Sequence, residues 1–324
     1  MKTLLSIPAK MLGFERLLHF SGRKLFLPFY HVVSDDSLAH ISPLYRHKNV
    51  SEFEADLDFL LQHFVPISLE EVNLVSKGEK KLSKPSFHLT FDDGLREVFS
   101  VVFPILKRKG IPATLFVNPS FVGNKALFFR YKAALLLDKY KKDGIRNMNN
   151  NSFNMDYIRA IGYHKRAELD QLAGTLNVDF QDFLDKTKPY LDLNELKMLS
   201  ENGIEIGAHS LDHPLYSLIS EEEQLRQTTE SMAWVRLHFH PKVAAFAFPF
   251  SDDGVRTSFF ERLNKTEHAP DLIFGTAGMN QEVRANHLQR IAMENGQYSA
   301  EQIVRNALMT NQLKKILGKN FIVR

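Results

Sequence analysis

The stretch Leu89-Thr90-Phe91-Asp92-Asp93-Gly94 decides the fold. An uncharged, strand-forming run ends in two adjacent carboxylates and a glycine. Short apolar runs of this kind read as strands covered on both faces, and such strands belong to parallel sheets flanked by helices. The carboxylates then fall just past the C-terminal end of the strand, where α/β barrels place their chemistry. With this strand placed at 87–91, residues 25–31, 113–117, 204–208, 243–248, 272–274 and 288–291 have the same apolar character. Between them lie helical patterns with recognisable starts. Ser51-Glu52-Phe53-Glu54, Ser68-Leu69-Glu70-Glu71 and Ser299-Ala300-Glu301-Gln302 read as capping boxes, and Asp192 with Glu195 carries the same signal. The helix from Asn194 is expected to close before Gly203, which suits a left-handed turn. Alternation of strands and helices predicts a parallel α/β architecture. About seven strands predict a distorted (β/α) barrel rather than an open sheet.

Residues 123–189 break this rhythm. They contain no good strand, while 131–140, 164–176 and 180–186 carry helical spacing around an Asn-rich loop at 148–154. The expectation is a single barrel over 25–324 with a helical insertion at about 123–189, preceded by a helical segment at 1–24. That N-terminal segment puts Leu4, Leu5, Met11, Leu12, Leu17 and Leu18 on one stripe, with Lys2, Lys10, Arg16 and Arg23 elsewhere. It reads as a helix docked on the barrel, with peripheral membrane contact as the competing reading.

Composition narrows the chemistry. The chain has 324 residues and no cysteine. Thiol nucleophiles, iron–sulfur clusters and thiolate zinc sites are thereby excluded, so any transition metal must be held by His and carboxylates. Lys plus Arg number 41 against 38 Asp plus Glu, a net charge of +3 that is far from a nucleic-acid footprint. No run of 18 apolar residues occurs, and Lys10, Glu15 and Arg16 interrupt the apolar core that a signal peptide requires. A cytoplasmic address is expected; oligomeric state is not legible.

A second island, Gly207-Ala208-His209-Ser210-Leu211-Asp212-His213-Pro214, also closes a strand. Paired carboxylates such as Asp92 and Asp93 repel, and one of them commonly ends beside a metal or an arginine. His209 and His213 converge if the chain leaves its strand in a helical turn. With one Asp they form a three-ligand site that leaves a coordination position for water, the arrangement of catalytic zinc. Taken singly, Asp-Asp-Gly reads as a turn and a His pair as structural. Both at strand ends, in a chain without cysteine, point to a site.

These residues resemble the polysaccharide deacetylases, carbohydrate esterase family four with the NodB homology domain. Thr90-Phe91-Asp92-Asp93-Gly94 is similar to the family's first motif and His209-Ser210-Leu211-Asp212-His213 to its His-Ser/Thr-x-x-His motif. Phe246-Ala247-Phe248-Pro249-Phe250 is similar to the third. The resemblance spans about 25–121 and 190–293. It implies metal-dependent removal of N-acetyl, or less readily O-acetyl, groups from a saccharide. It assigns Asp92 as general base, and Asp93, His209 and His213 as ligands of a divalent metal, usually Zn2+, which lowers the pKa of bound water to ~7. The oxyanion would sit on the metal and a backbone N–H at Phe250, with Pro249 supporting that loop and Ser210 pinning the turn between the histidines.

The chain departs from the family pattern in two places. The arginine that commonly tethers the base in the third motif is replaced by Ala247. Arg290, at a predicted strand end, is the candidate replacement, against a reading as a surface arginine paired with a nearby Glu. The late Leu-x-His motif that supplies the general acid is missing. Relatives resembling the poly-N-acetylglucosamine deacetylases take this His from an early strand, which makes His31 the candidate. His88 is set aside because alternation along 87–91 is expected to place it away from the neighbours of Asp92. The competing functions are an amidase of non-sugar C–N bonds, an inactive carbohydrate-binding module, and an iron oxygenase, which leaves the second Asp unexplained. With no signal peptide, a lipid- or nucleotide-linked saccharide is the expected substrate class.

Overall fold

The computed structural model describes residues 13–143, 154–294 and 296–324. Its framework is parallel throughout. The strands are β1 (Leu25–Phe26), β2 (Pro28–Tyr30), β3 (Val65–Pro66), β4 (Ser86–Phe87), β5 (Leu89–Phe91), β6 (Ala113–Val117), β7 (Ile204–Ala208), β8 (Ala245–Ala247), β9 (Leu272–Gly275), β10 (His287–Gln289) and β11 (Ile291–Ala292). The main sheet runs β10-β9-β8-β7-β6-β5-β2-β11. Its two edges are halves of one strand, because Arg290 alone separates β10 from β11. The Arg290 N–H donates to Gly275 of β9, while the Ile291 N–H donates to Leu27 beside β2. The strand at 287–292 therefore leans on the sixth strand with its first half and on the first strand with its second half. That closes a barrel of seven strands in chain order. Leu27 and His88 interrupt the first and second strands in the same way, and the pieces below the breaks pair with each other, β4 also with β3, in a small sheet, β1-β4-β3.

The strands are buried on both faces, as their apolar runs require. Phe116, Ala245, Ala247, Leu272 and Phe274 fill the barrel interior with Leu27. Outward-facing Phe87, Leu89, Phe91, Leu115 and Phe246 pack against the helices. Gly207 is required inside, since a Cβ there would come within 2.5 Å of the Phe116 ring.

The outer helices are α1 (Phe14–Ser21), α2 (Val50–His63), α3 (Leu69–Ser76), α4 (Phe103–Lys109), α5 (Phe129–Lys142), α6 (Met155–Ala160), α7 (Ala167–Thr175), α8 (Phe180–Thr187), α9 (Leu193–Glu201), α10 (Glu221–Phe239), α11 (Thr257–Leu263) and α12 (Ala300–Ile316). Capping boxes start α3 at Ser68, α9 at Asp192 and α12 at Ser299. The α2 box corrects the expected one: the cap is Asn49, not Ser51, and Glu52 reaches back to it. Asn accepts from the third backbone N–H as well as Ser does, so the helix begins where the first competent side chain stands. Gly203 follows α9 in the left-handed region.

Helices α5 to α8 share a separate apolar cluster that also takes in Val32, Ile41 and Leu95 of the barrel loops. Leu17 and Leu18 of α1 are buried in the main core with Val304 and Leu308 of α12. Leu4, Leu5, Met11, Leu12 and the stretch 148–153 lie outside the described residues. No helix among the described residues is long and apolar enough to cross a membrane.

Candidate active site

The predicted residues come from the C-terminal ends of the parallel strands. His31 follows β2, Asp92 and Asp93 follow β5, His209 and Ser210 follow β7, and Pro249 and Phe250 lie two to three residues past β8. Arg290 reaches in from the closing strand. His88, Thr90 and Asp92 share the inward face of the second strand, since residues two apart point the same way. This corrects the sequence expectation for His88. Depth separates it from the site: four residues place His88 about 13 Å below Asp92. Its ring is held there between the Ile67 carbonyl and the Thr114 hydroxyl, each 2.8 Å away.

Asp92 is 2% exposed, and both its oxygens accept from the Arg290 guanidinium, at 2.7 and 2.8 Å. Arg290 is fully buried. It also donates to Thr90 Oγ1 at 3.1 Å and lies over the ring of Phe29 at 4.4 Å. Burial disfavours the Asp92 charge, but Arg290 outweighs it and holds the carboxyl below its ordinary range.

Asp93 has φ 71°. One oxygen, Oδ2, accepts the Tyr131 hydroxyl at 2.7 Å. The other, Oδ1, lies 3.2 Å from His213 Nε2 and 3.6 Å from His209 Nε2, and it has no hydrogen-bond partner. Burial again opposes ionisation, and the neighbouring His213 reverses the balance to hold Asp93 well below the usual carboxylate range.

His209 Nδ1 faces the Ala247 carbonyl at 2.8 Å. A carbonyl only accepts, so Nδ1 carries the proton and Nε2 presents its lone pair toward Asp93. Burial lowers the His209 pKa to about 4, which leaves the ring neutral at physiological pH. His213 sits between the rings of Phe128 and Phe250, at 4.4 and 4.6 Å. Its backbone N–H donates to Ser210 Oγ at 3.1 Å. Asn118, just past β6, donates to the His209 and Ser210 carbonyls.

Asp93, Ser210, His213 and Phe250 all occupy the left-handed region. For residues with a Cβ this costs on the order of 1–3 kcal/mol each, strain that persists where the surroundings over-determine the conformation. Among the described residues the Phe250 amide makes no hydrogen bond.

The donor set fits a divalent metal: one buried, unpartnered carboxylate oxygen and two imidazole Nε2 atoms, all within 4.8 Å of one another. Three such ligands leave a coordination position open. A second group, Asp252, Glu282 and His287, meets the same criterion but fits less well. Arg324 donates to Asp252 and, at 2.6 Å, to Glu282, while Gln289 donates to both. A guanidinium already supplies the positive charge there, and the network ties the loop after β8 to the seventh strand.

His31 is partly exposed. Its Nδ1 lies 2.6 Å from Glu294 Oε2, and Glu294 also accepts the His31 and Val32 backbone N–H groups. Burial works against the His31 charge, yet Glu294 outweighs it and raises the pKa to about 9. Sequence reasoning missed Glu294, although its place just past the last strand is the kind of position that flagged the others. It also missed Tyr131, which lies on α5 and carries no local signal.

Residues 79–268 match the family model described as polysaccharide deacetylase. The Bacillus subtilis (strain 168) protein YxkH, named for the same family, is 24% identical over 208 residues, covering 60% of this chain and 70% of its own. IcaB from Ammonifex degensii superposes with a TM-score of 0.58 at 19% identity, covering 89% of this chain and 98% of its own. Streptococcus pyogenes deacetylase PplD, solved in complex with acetate, gives 0.57 at 17%, covering 88% and 98%. A de-N-acetylase from Aggregatibacter actinomycetemcomitans gives 0.54 at 12%, covering 86% and 99%. At these identities the structural likeness bears on the fold alone.

Proposed function

The chain belongs to the polysaccharide deacetylase family, and from that premise we propose that it hydrolyses N-acetyl groups on a saccharide, with a divalent metal held by Asp93, His209 and His213. One observation supports this reading above the rest. Asp93 Oδ1 is buried without a partner and faces two imidazole nitrogens, beside a second carboxylate gripped by a buried arginine. An unpartnered buried carboxylate oxygen is costly unless something else satisfies it.

Zinc in such a site lowers the pKa of a bound water and polarises the acyl carbonyl. The protein's own groups divide the remaining work. Asp92, kept ionised and aimed by Arg290, accepts a proton from the attacking water as it adds to the acetamide carbonyl. The free Phe250 amide offers an N–H to the developing oxyanion. His31, protonated at neutral pH through Glu294, gives its proton to the leaving amine as the C–N bond breaks. The products are acetate and a free amino sugar. The exposed ring of Phe250 borders the site and gives a sugar face an apolar surface.

The test is acetate release across N-acetylated and O-acetylated saccharides by zinc-loaded protein. The expected result is release from N-acetyl substrates and a 10²–10⁴-fold loss in Asp92→Asn with metal content retained. Failure of wild-type protein to release acetate from any acetylated saccharide, with metal bound, overturns the reading.

A further inference from the structure

Tyr131 belongs to α5, the first helix of the stretch that interrupts the strand pattern, yet its hydroxyl reaches Asp93. The ring is 1% exposed and wedged by Phe128 at 5.0 Å, His40 at 5.2 Å and Tyr190 at 6.2 Å. From there the phenol donates to Asp93 Oδ2 at 2.7 Å, while Oδ1 is left to face His209 and His213. A carboxylate can offer a metal one oxygen or two. Two would fill the position that a three-ligand site keeps open for water or substrate.

Resting on the metal site proposed above, we propose that Tyr131 is a positioning residue that holds Asp93 as a one-oxygen ligand. Its hydrogen bond occupies Oδ2 before metal arrives, so the carboxylate needs no reorganisation on binding. Partners of ligating groups commonly contribute 10–100-fold in metal affinity. Two of the rings that fix Tyr131, Phe128 and Tyr190, belong to the apolar cluster of α5 to α8, so this cluster acts on the metal through one phenol.

Tyr131→Phe keeps the ring and its stacking and removes only the donor. The test measures zinc affinity of the full chain by competition with a chromogenic chelator, and the visible absorption of the Co2+-substituted protein. The expected result is 10–100-fold weaker zinc binding, with a weaker cobalt absorption as Asp93 turns to two-oxygen ligation and the coordination number rises. Tyr190→Phe is the control. It removes the hydroxyl that accepts the Phe128 N–H in the same cluster and does not touch Asp93. Its zinc affinity is expected to match wild type.

Tyr131→Phe with wild-type affinity and spectrum overturns the proposal and leaves the deacetylase reading standing. An equal loss in Tyr190→Phe also overturns it, because the effect would then be one of packing. Wild-type protein that binds no zinc overturns both.

Discussion

Arg290 and Asp92 lie 198 residues apart in the chain and meet through two parallel hydrogen bonds of 2.7 and 2.8 Å inside the barrel, with neither side chain more than 2% exposed. Removing one partner of such a pair leaves the other charged and buried, which costs about 3–5 kcal/mol. Arg290→Met is therefore expected to lose about that much stability in urea unfolding. The folded pKa of Asp92 lies below its unfolded value, so the pair stabilises above an unfolded pKa of about 4. That gain is lost as pH falls through the folded value. Without Arg290, burial of Asp92 is opposed only by the pull of His209 and His31, and the acid limb of kcat/KM moves to higher pH. A variant as stable as wild type, with an unmoved limb, would refute the pairing.

His31 supplies the opposite sign. Its pKa is raised from 6.5 to about 9, so its ion pair with Glu294 stabilises fully below about pH 6.5 and is lost as pH rises through about 9. As the acid, it predicts that kcat/KM declines above about pH 9. Glu294→Gln keeps an acceptor for the backbone N–H groups but removes the charge, so the alkaline limb shifts to lower pH. An unchanged limb in Glu294→Gln removes His31 from the acid role.

Metal binding is expected to appear in thermal unfolding as well as in turnover. A ligand at 100 times its Kd stabilises the folded state by about 2.7 kcal/mol. Chelator treatment should lower the Tm of wild type, and zinc should restore it. His209→Ala and His213→Ala should show neither response in calorimetry. An equal zinc-dependent rise in both variants would place the metal elsewhere.

His88 makes a prediction separate from the chemistry. Burial lowers its pKa from 6.5 to about 4, with both ring nitrogens engaged. Between those pH values the unfolded chain takes up a proton that the folded chain refuses. Acidification through that window therefore costs roughly 3 kcal/mol at this residue. In His88→Gln, which cannot titrate, stability against pH should be flatter between pH 6.5 and 4. Parallel curves for the two proteins would contradict it, and acetate release at neutral pH reports the site independently.

The seven strands were legible because burial on both faces forces near-continuous apolar runs, a signal carried within five or six residues. Asp92, Asp93, His209 and His213 stood out for a related reason: each pair is local in sequence and sits at a strand end. Contacts made across the fold leave no such trace. Nothing near Glu294 signals His31, and nothing near Tyr131 signals Asp93, because each meets its partner only after the chain has folded. Arg290 was readable as a candidate by its strand-end position, while its grip on Asp92 depends on which strands become neighbours. His88 shows a different limit. Period two puts it on the same face as Asp92, against the expectation, and what keeps it from the site is its level within the barrel, which follows only from counting the rise.

The strand at 287–292 changes neighbours at a single residue, and that residue is Arg290. Joining the first and last strands thus brings the guanidinium to Asp92 in the same event. A partly assembled chain, with its seam still open, holds Asp92 next to no arginine. Such a chain can hold both histidines and Asp93 while Asp92 is not yet aimed by Arg290. With Asp92 as the proposed base, hydrolytic competence is expected to wait for closure, so refolding followed by acetate release should lag behind refolding followed by zinc uptake.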